Sequence, residues 1–141
     1  MAVIDKRGTW DKIKAAITGM PSVDVGVLDP SVATYATVQE FGSADGRVPA
    51  RHWQTRSIEE NGQAIQAAVA AATAAILDRR AGKQTAADNL GADVADIVRA
   101  HVNSANFPPP LKPATVAAKG HSKAMVDTGK MRDSITHRVN K

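Results

Sequence analysis

The side chains best equipped for chemistry in this sequence are four histidines, His52, His101, His121 and His137, together with scattered serines and acids. A helical zinc site needs two histidines one turn apart with a glutamate between them, and no pair here has that spacing. The chain has no cysteine, which also excludes thiol nucleophiles and disulfides. A serine nucleophile needs a partner base, commonly on a G-x-S-x-G turn, and that turn is missing. Glu59 and Glu60 are adjacent, so on a helix their carboxylates point in different directions and form a solvated face rather than a catalytic pair. Gly42, Gly46 and Gly62 are too widely spaced to cradle a phosphate, and no G-K-S or G-K-T follows them. His101 falls at helical spacing from Leu90, Val94 and Ile97 and reads as a helix-face residue. Neither His101 nor Ser134 has the neighbours that would make it reactive. The expectation is a chain with no catalytic residues, no metal and no cofactor.

The elements that would carry these residues are legible from periodicity. Thr9 can cap a helix bearing Trp10, Ile13, Ile17 and Met20 on one side, which Pro21 ends. Val23, Val25 and Val27 alternate with Asp24 and Gly26, the signature of a half-buried strand over 22–28. A short helix from Ser31 carries Tyr35, Val38 and Phe41, and Gly42 stops it. After a loop over 43–50, Ile58, Ile65, Val69, Ala72 and Ile76 mark one stripe of a long alanine-rich helix over 55–80. A second helix is expected over 85–103, with Ala81-Gly82-Lys83 as a kink or tight connection between the two. Four prolines, Pro108, Pro109, Pro110 and Pro113, then favour an extended arm over about 107–124. Asp127 or Thr128 can cap a last short helix through Asp133, and Ile135, His137 and Val139 alternate as a strand.

These pieces predict an α+β fold: a small antiparallel sheet, made of the strand at 22–28 and the one at 134–139, packed against the 55–80 helix as one domain over 1–141. Much of the hydrophobic 43% is alanine and aromatics make up only 4%, so the core should be thin, and burial against other copies would make up the deficit. Phe107, Leu111 and Val116, spaced along the arm, are the expected subunit interface.

The net charge is +4, and from Asn103 onward seven lysines and arginines face two acids. That imbalance suits an acidic partner such as nucleic acid, although aromatic stacking platforms are scarce there and surface solubility is the better explanation. No signal-like run opens the sequence and no stretch nears the roughly 20 apolar residues of a membrane span, so the chain is expected to be made in a cytoplasm without a membrane role.

Three phrases, taken in order, carry a resemblance. They are Tyr35-Ala36-Thr37-Val38-Gln39-Glu40-Phe41-Gly42, Val48-Pro49-Ala50-Arg51-His52-Trp53, and Met125-Val126-Asp127-Thr128-Gly129-Lys130-Met131-Arg132-Asp133-Ser134-Ile135. In order and spacing they resemble the minor tail component, or tail-completion, family of long-tailed bacteriophages. His52 stands where that family usually has proline, Trp53 where it has phenylalanine, and Met125-Val126 where it has leucine and isoleucine. The resemblance implies a structural virion protein at the neck or head-proximal tail end. It would be assembled in the host cytoplasm as a ring, commonly of six copies, that contacts neighbouring neck and tail proteins and lets DNA pass through its centre. A small basic nucleic-acid-binding protein is the alternative.

Physical roles can be given to the same residues. Gly42 supplies a left-handed helix end and Phe41 its anchor. Glu40 either pairs with Arg51 across the loop or is solvated. Pro49 stiffens the entry to the long 55–80 helix, and Trp53 keeps the aromatic bulk of the second phrase. Asp127 and Thr128 offer oxygens to the last helix, with Gly129 permitting close approach and Ser134 near its end.

Overall fold

The computed structural model describes residues 6–120, 122 and 129–141. The elements run α1 (Lys6–Ile17), β1 (Val23–Val27), α2 (Pro30–Phe41), α3 (Trp53–Glu60), α4 (Gly62–Leu77), α5 (Lys83–Ser104), α6 (Pro113–Lys119), α7 (Lys130–Asp133) and β2 (Ile135–Val139). The α+β class and the small antiparallel sheet are as the sequence predicts. β1 and β2 pair from Val23 opposite Val139 to Val27 opposite Ile135. Their alternation turns Ile135 fully inward and leaves Thr136 and Arg138 exposed. On the outer face Arg138 donates to Asp24 at 2.8 Å, which holds the Asp24 carboxyl below its ordinary value.

The sheet lies chiefly against α5, and not against the 55–80 helix that was expected to cover it. The reason is a stripe of small residues. Ala87, Gly91, Ala95, Val98 and Val102 recur at helical spacing and are all buried, whereas Leu90, Val94, Ile97 and His101 are only half-buried. Gly91 lets the backbones approach so closely that a Cβ there would sit 2.4 Å from the His137 ring and 2.8 Å from a Val23 methyl. Beside it, His137 Nε2 lies 2.8 Å from the Asp88 carboxylate, tying β2 to α5.

The expected continuous helix is broken at Asn61, whose φ of −110° and ψ of 21° separate α3 from α4. The Asn61 amide donates to the Ser57 carbonyl at 2.8 Å, and Gly62 follows, so an Asn-Gly pair redirects the chain. α1 also differs from expectation. It begins at Lys6, leaving Thr9 inside the helix rather than at its cap, and it packs mainly on α4.

The core gathers Val32, Ala36, Trp53, Ala95, Val98, Val102, Phe107, Met131 and Ile135, with Val25, Val27, Val94 and Ala105 against it. Phe107 therefore belongs to the subunit's own core, 4% exposed, and not to an interface. It closes the end of α5 with its ring edge-on to His101 at 5.5 Å. The arm is not extended throughout either: Pro113 opens α6, because proline suits a first helical turn, and Gly120 ends it at φ 80°. Leu111 and Val116 are half-buried. The capping expected of Asp127 and Thr128 falls outside the described residues.

Candidate functional site

The first two phrases meet where α2 hands over to α3. The amide of Gly42 donates to the Val38 carbonyl at 2.7 Å, and its φ of 83° turns the chain out of the helix. A Cβ at this position would come within 3.1 Å of the Val48 carbonyl and the Ala50 nitrogen. The loop returns so that Arg51 and His52 amides donate to the Gln39 and Glu40 carbonyls at 2.8 and 3.2 Å. Pro49 lies exposed on this return, and His52, at φ 50°, precedes the first residue of α3.

That register puts the Glu40 carboxylate over the start of α3. It accepts from the Gln54 amide at 2.8 Å, the Thr55 amide at 3.4 Å and the Thr55 hydroxyl at 2.5 Å. Neither anticipated role holds: Glu40 is buried at 6% exposure, and Arg51 bonds to the Gln39 side chain instead, Nη1 to Oε1 at 3.0 Å. A carboxylate 14 residues upstream of Gln54 thus supplies the cap that His52 does not. Arg51 is 5% exposed with Nε unpartnered, and burial pushes its guanidinium below its ordinary pKa, opposed by Tyr35. Trp53 is 2% exposed and its Nε1 donates to the Ala36 carbonyl at 2.8 Å. Gln54 reaches across to the Val25 carbonyl at 3.0 Å, joining this junction to the sheet.

Glu40→Ala should lower stability by about 2 kcal/mol, the sum of a lost cap and orphaned amides in a half-buried setting. Glu40→Gln, which keeps an acceptor, should cost about half as much. Urea unfolding followed by circular dichroism measures both; equal stability of Glu40→Ala and wild type would remove the capping role.

Above the carboxylate lies a cleft of about 310 Å³, lined by Val27, Ala33, Thr37, Phe41, Trp53 and Ile58 among others. Its rim is apolar and in water: Phe41 is 72% exposed and Ile58 45%. Phe41 does not anchor the helix end in the core, as expected; Trp53 fills that place. Tyr35, one turn before Gln39, is also exposed.

The remaining residues of interest have structural surroundings. Gly129 is buried at φ 79°, with Arg132 so close that a Cβ would meet its guanidinium at 2.7 Å. Ser134 donates its hydroxyl to the Lys130 carbonyl at 2.6 Å. His101 Nε2 lies 3.2 Å from a Glu60 carboxylate oxygen, linking α5 to the end of α3. Among the described residues no group of three or more histidines and acids is placed to hold a metal ion, and no helix is long and apolar enough to cross a membrane. The features that sequence reasoning missed are the burial of Glu40 and the exposed cleft; the only sequence signal for either was the apolar Phe41 beside a glycine stop. Comparison with protein-family models, curated proteins and solved structures found no match to the chain.

Proposed function

We propose that the protein is a structural subunit of a long-tailed bacteriophage, a neck or tail-completion protein that works by joining copies of itself into a ring between head and tail. The observation that carries this reading is the surface of α4. In its 16 residues, GQAIQAAVAAATAAIL, there is no charge, yet only Ala72 is buried. Gln63, Gln66 and Thr73 are its only polar side chains, and a helix so largely apolar calls for more cover than its own subunit supplies. Here α1 covers part of it and the pair still presents Trp10 at 57%, Ile17 at 46%, Val69 at 46% and Leu77 at 41% exposure.

The phrases that resemble the tail-completion family support the same reading through what they do in the fold. Glu40, Gly42, Arg51 and Trp53 lock two helices together through a cap, a tight turn and buried hydrogen bonds. A subunit that contributes shape and adhesion needs only that. The ring would be a virion component, with six copies as the family resemblance implies, with neighbouring neck and tail proteins above and below and DNA in its lumen.

Sedimentation velocity over a range of concentrations tests the proposal. Wild type should form a closed oligomer of one size. Replacing Val69 and Leu77 together by glutamate should weaken association roughly a hundredfold, as two losses of about 1.4 kcal/mol each would do. Both positions are exposed, so circular dichroism should be unchanged. A wild-type chain that stays monomeric at every concentration, or a double variant that assembles normally, overturns it.

A further inference from the structure

The cleft over Glu40 has a chemistry that its own subunit leaves unfinished. None of the ion pairs among the described residues includes Glu40, although the residue is 6% exposed. Its donors, the Gln54 and Thr55 amides and the Thr55 hydroxyl, are all neutral. A carboxylate offers about four lone-pair sites, and these three bonds leave one open. A buried charge is costly unless it is paired, and the start of α3 compensates only part of it. The walls leading to it are mainly apolar, with Thr37, Gln54 and Thr55 among them, and Phe41 holds an aromatic ring at the mouth. A long side chain with a methylene stem and a cationic head matches all three features: the stem lies along Val27, Ala33 and Ile58, the head reaches the carboxylate, and the ring face attracts the charge.

We infer that this cleft is the socket for a second copy of the chain, which enters it with Arg79. The inference rests on the self-assembling reading above and names the contact. Arg79 stands in the turn between α4 and α5, two residues beyond Leu77, where the exposed apolar stripe ends. Its φ of 56° sets it on the outside of that turn, and it is exposed. Its neighbour Arg80 is paired with Asp78 at 3.2 Å, whereas the Arg79 side chain takes no part in any ion pair or hydrogen bond among the described residues. The stripe with its cation lies on α1, α4 and the turn; the socket lies on α2, α3 and β1. These are different surfaces of one subunit, so the contact runs head to tail and repeats, the kind of contact from which a ring is built when the rotation between neighbours closes.

Sedimentation velocity of the full chain at low and high salt, with unfolding curves on the same samples, tests the inference. Phe41→Glu and Ile58→Glu, both at the exposed rim, should each weaken association at least about tenfold while leaving the circular dichroism of the folded chain, and its midpoint at concentrations too low for association, in place. Arg79→Glu should do the same. Wild-type association should weaken with salt, and Glu40→Gln should weaken it further and flatten that salt dependence, a change that loss of a helix cap alone does not produce. If wild type assembles and both rim variants assemble equally well, the socket is refuted while the self-assembling reading stands. Indifference to Arg79→Glu refutes the choice of Arg79. A wild-type chain that never associates refutes the reading itself and the socket with it.

Discussion

Trp53→Ala should lower the unfolding free energy by about 3 to 5 kcal/mol, the range for truncating a fully buried aromatic side chain. Trp53 is among the largest fully buried side chains, and it sits where α2, α3 and α5 meet. Two effects add. Removing the indole opens a cavity in a core whose other members are mostly alanine and valine and have little side chain with which to refill it. It also removes the bond that Nε1 donates to the Ala36 carbonyl at 2.8 Å in a buried setting. Domains are commonly stable by about 5 to 15 kcal/mol, so the loss is a large part of the total. Trp53→Phe keeps one aromatic ring, loses the hydrogen bond and leaves a smaller void than alanine does, so it should cost less, about 1 to 3 kcal/mol. Urea titration by circular dichroism measures both, and a cost below about 1 kcal/mol for Trp53→Ala would mean that the indole does not support the core.

Gly91 should give the second large effect, with a sign opposite to intuition. In a helix interior, glycine to alanine ordinarily stabilises by about 1 kcal/mol. At Gly91 the added methyl would lie 2.4 Å from the His137 ring, so α5 must lift off the sheet or His137 must leave Asp88. Gly91→Ala should therefore destabilise by about 1 to 3 kcal/mol, and Gly91→Leu by about 3 or more. Gly62 is the internal control: nothing lies within 4 Å of its Cβ position, so Gly62→Ala should stabilise by up to about 1 kcal/mol. Thermal melts of the variants check the pair. Should Gly91→Ala melt higher than wild type, the close helix-sheet contact would be wrong.

The contrast between those two glycines also explains what could be read in advance. The strands were legible because Val23, Val25 and Val27 alternate with Asp24 and Gly26, and Ile135, His137 and Val139 alternate with Thr136 and Arg138, a period that admits one pairing face. The end of α2 at Gly42 was legible from a stop residue. The identity of the helix over the sheet was not, because hydrophobic periodicity rewards large side chains, and closeness to a sheet is achieved with small ones. Ala87, Gly91 and Ala95 register weakly as apolar yet decide the packing. The break at Asn61 was signalled by the Asn-Gly pair but outweighed by the long apolar stripe around it. At the candidate site, Gly42, Arg51 and Trp53 stand out in the sequence, and the structure places all three at the junction of α2 and α3. The role of Glu40 depends on where the chain returns after the loop, and no local pattern encodes that return. The burial of Phe107 follows likewise from the path taken after α5.

The same return path has a consequence for engineering. The loop from α2 to α3 is fastened twice: at its base by the Arg51 and His52 amides on Gln39 and Glu40, and nearer its tip by Ser43 with Val48, whose backbone bond is 2.9 Å. Beyond the second fastening, residues 44–47 are exposed, and Gly46 turns the chain at φ 72° with open space where a side chain would stand. Added sequence at the tip would lengthen a loop whose ends are already held, and each doubling of loop length costs only about 0.6 kcal/mol in closure entropy. A peptide tag or a heavy label inserted between Asp45 and Gly46 would leave both fastenings in place and stand at a known distance in sequence from Phe41 and Trp53. Particles built from such a subunit would carry a visible marker beside the α2–α3 junction, so that its orientation within any assembly could be read directly by electron microscopy.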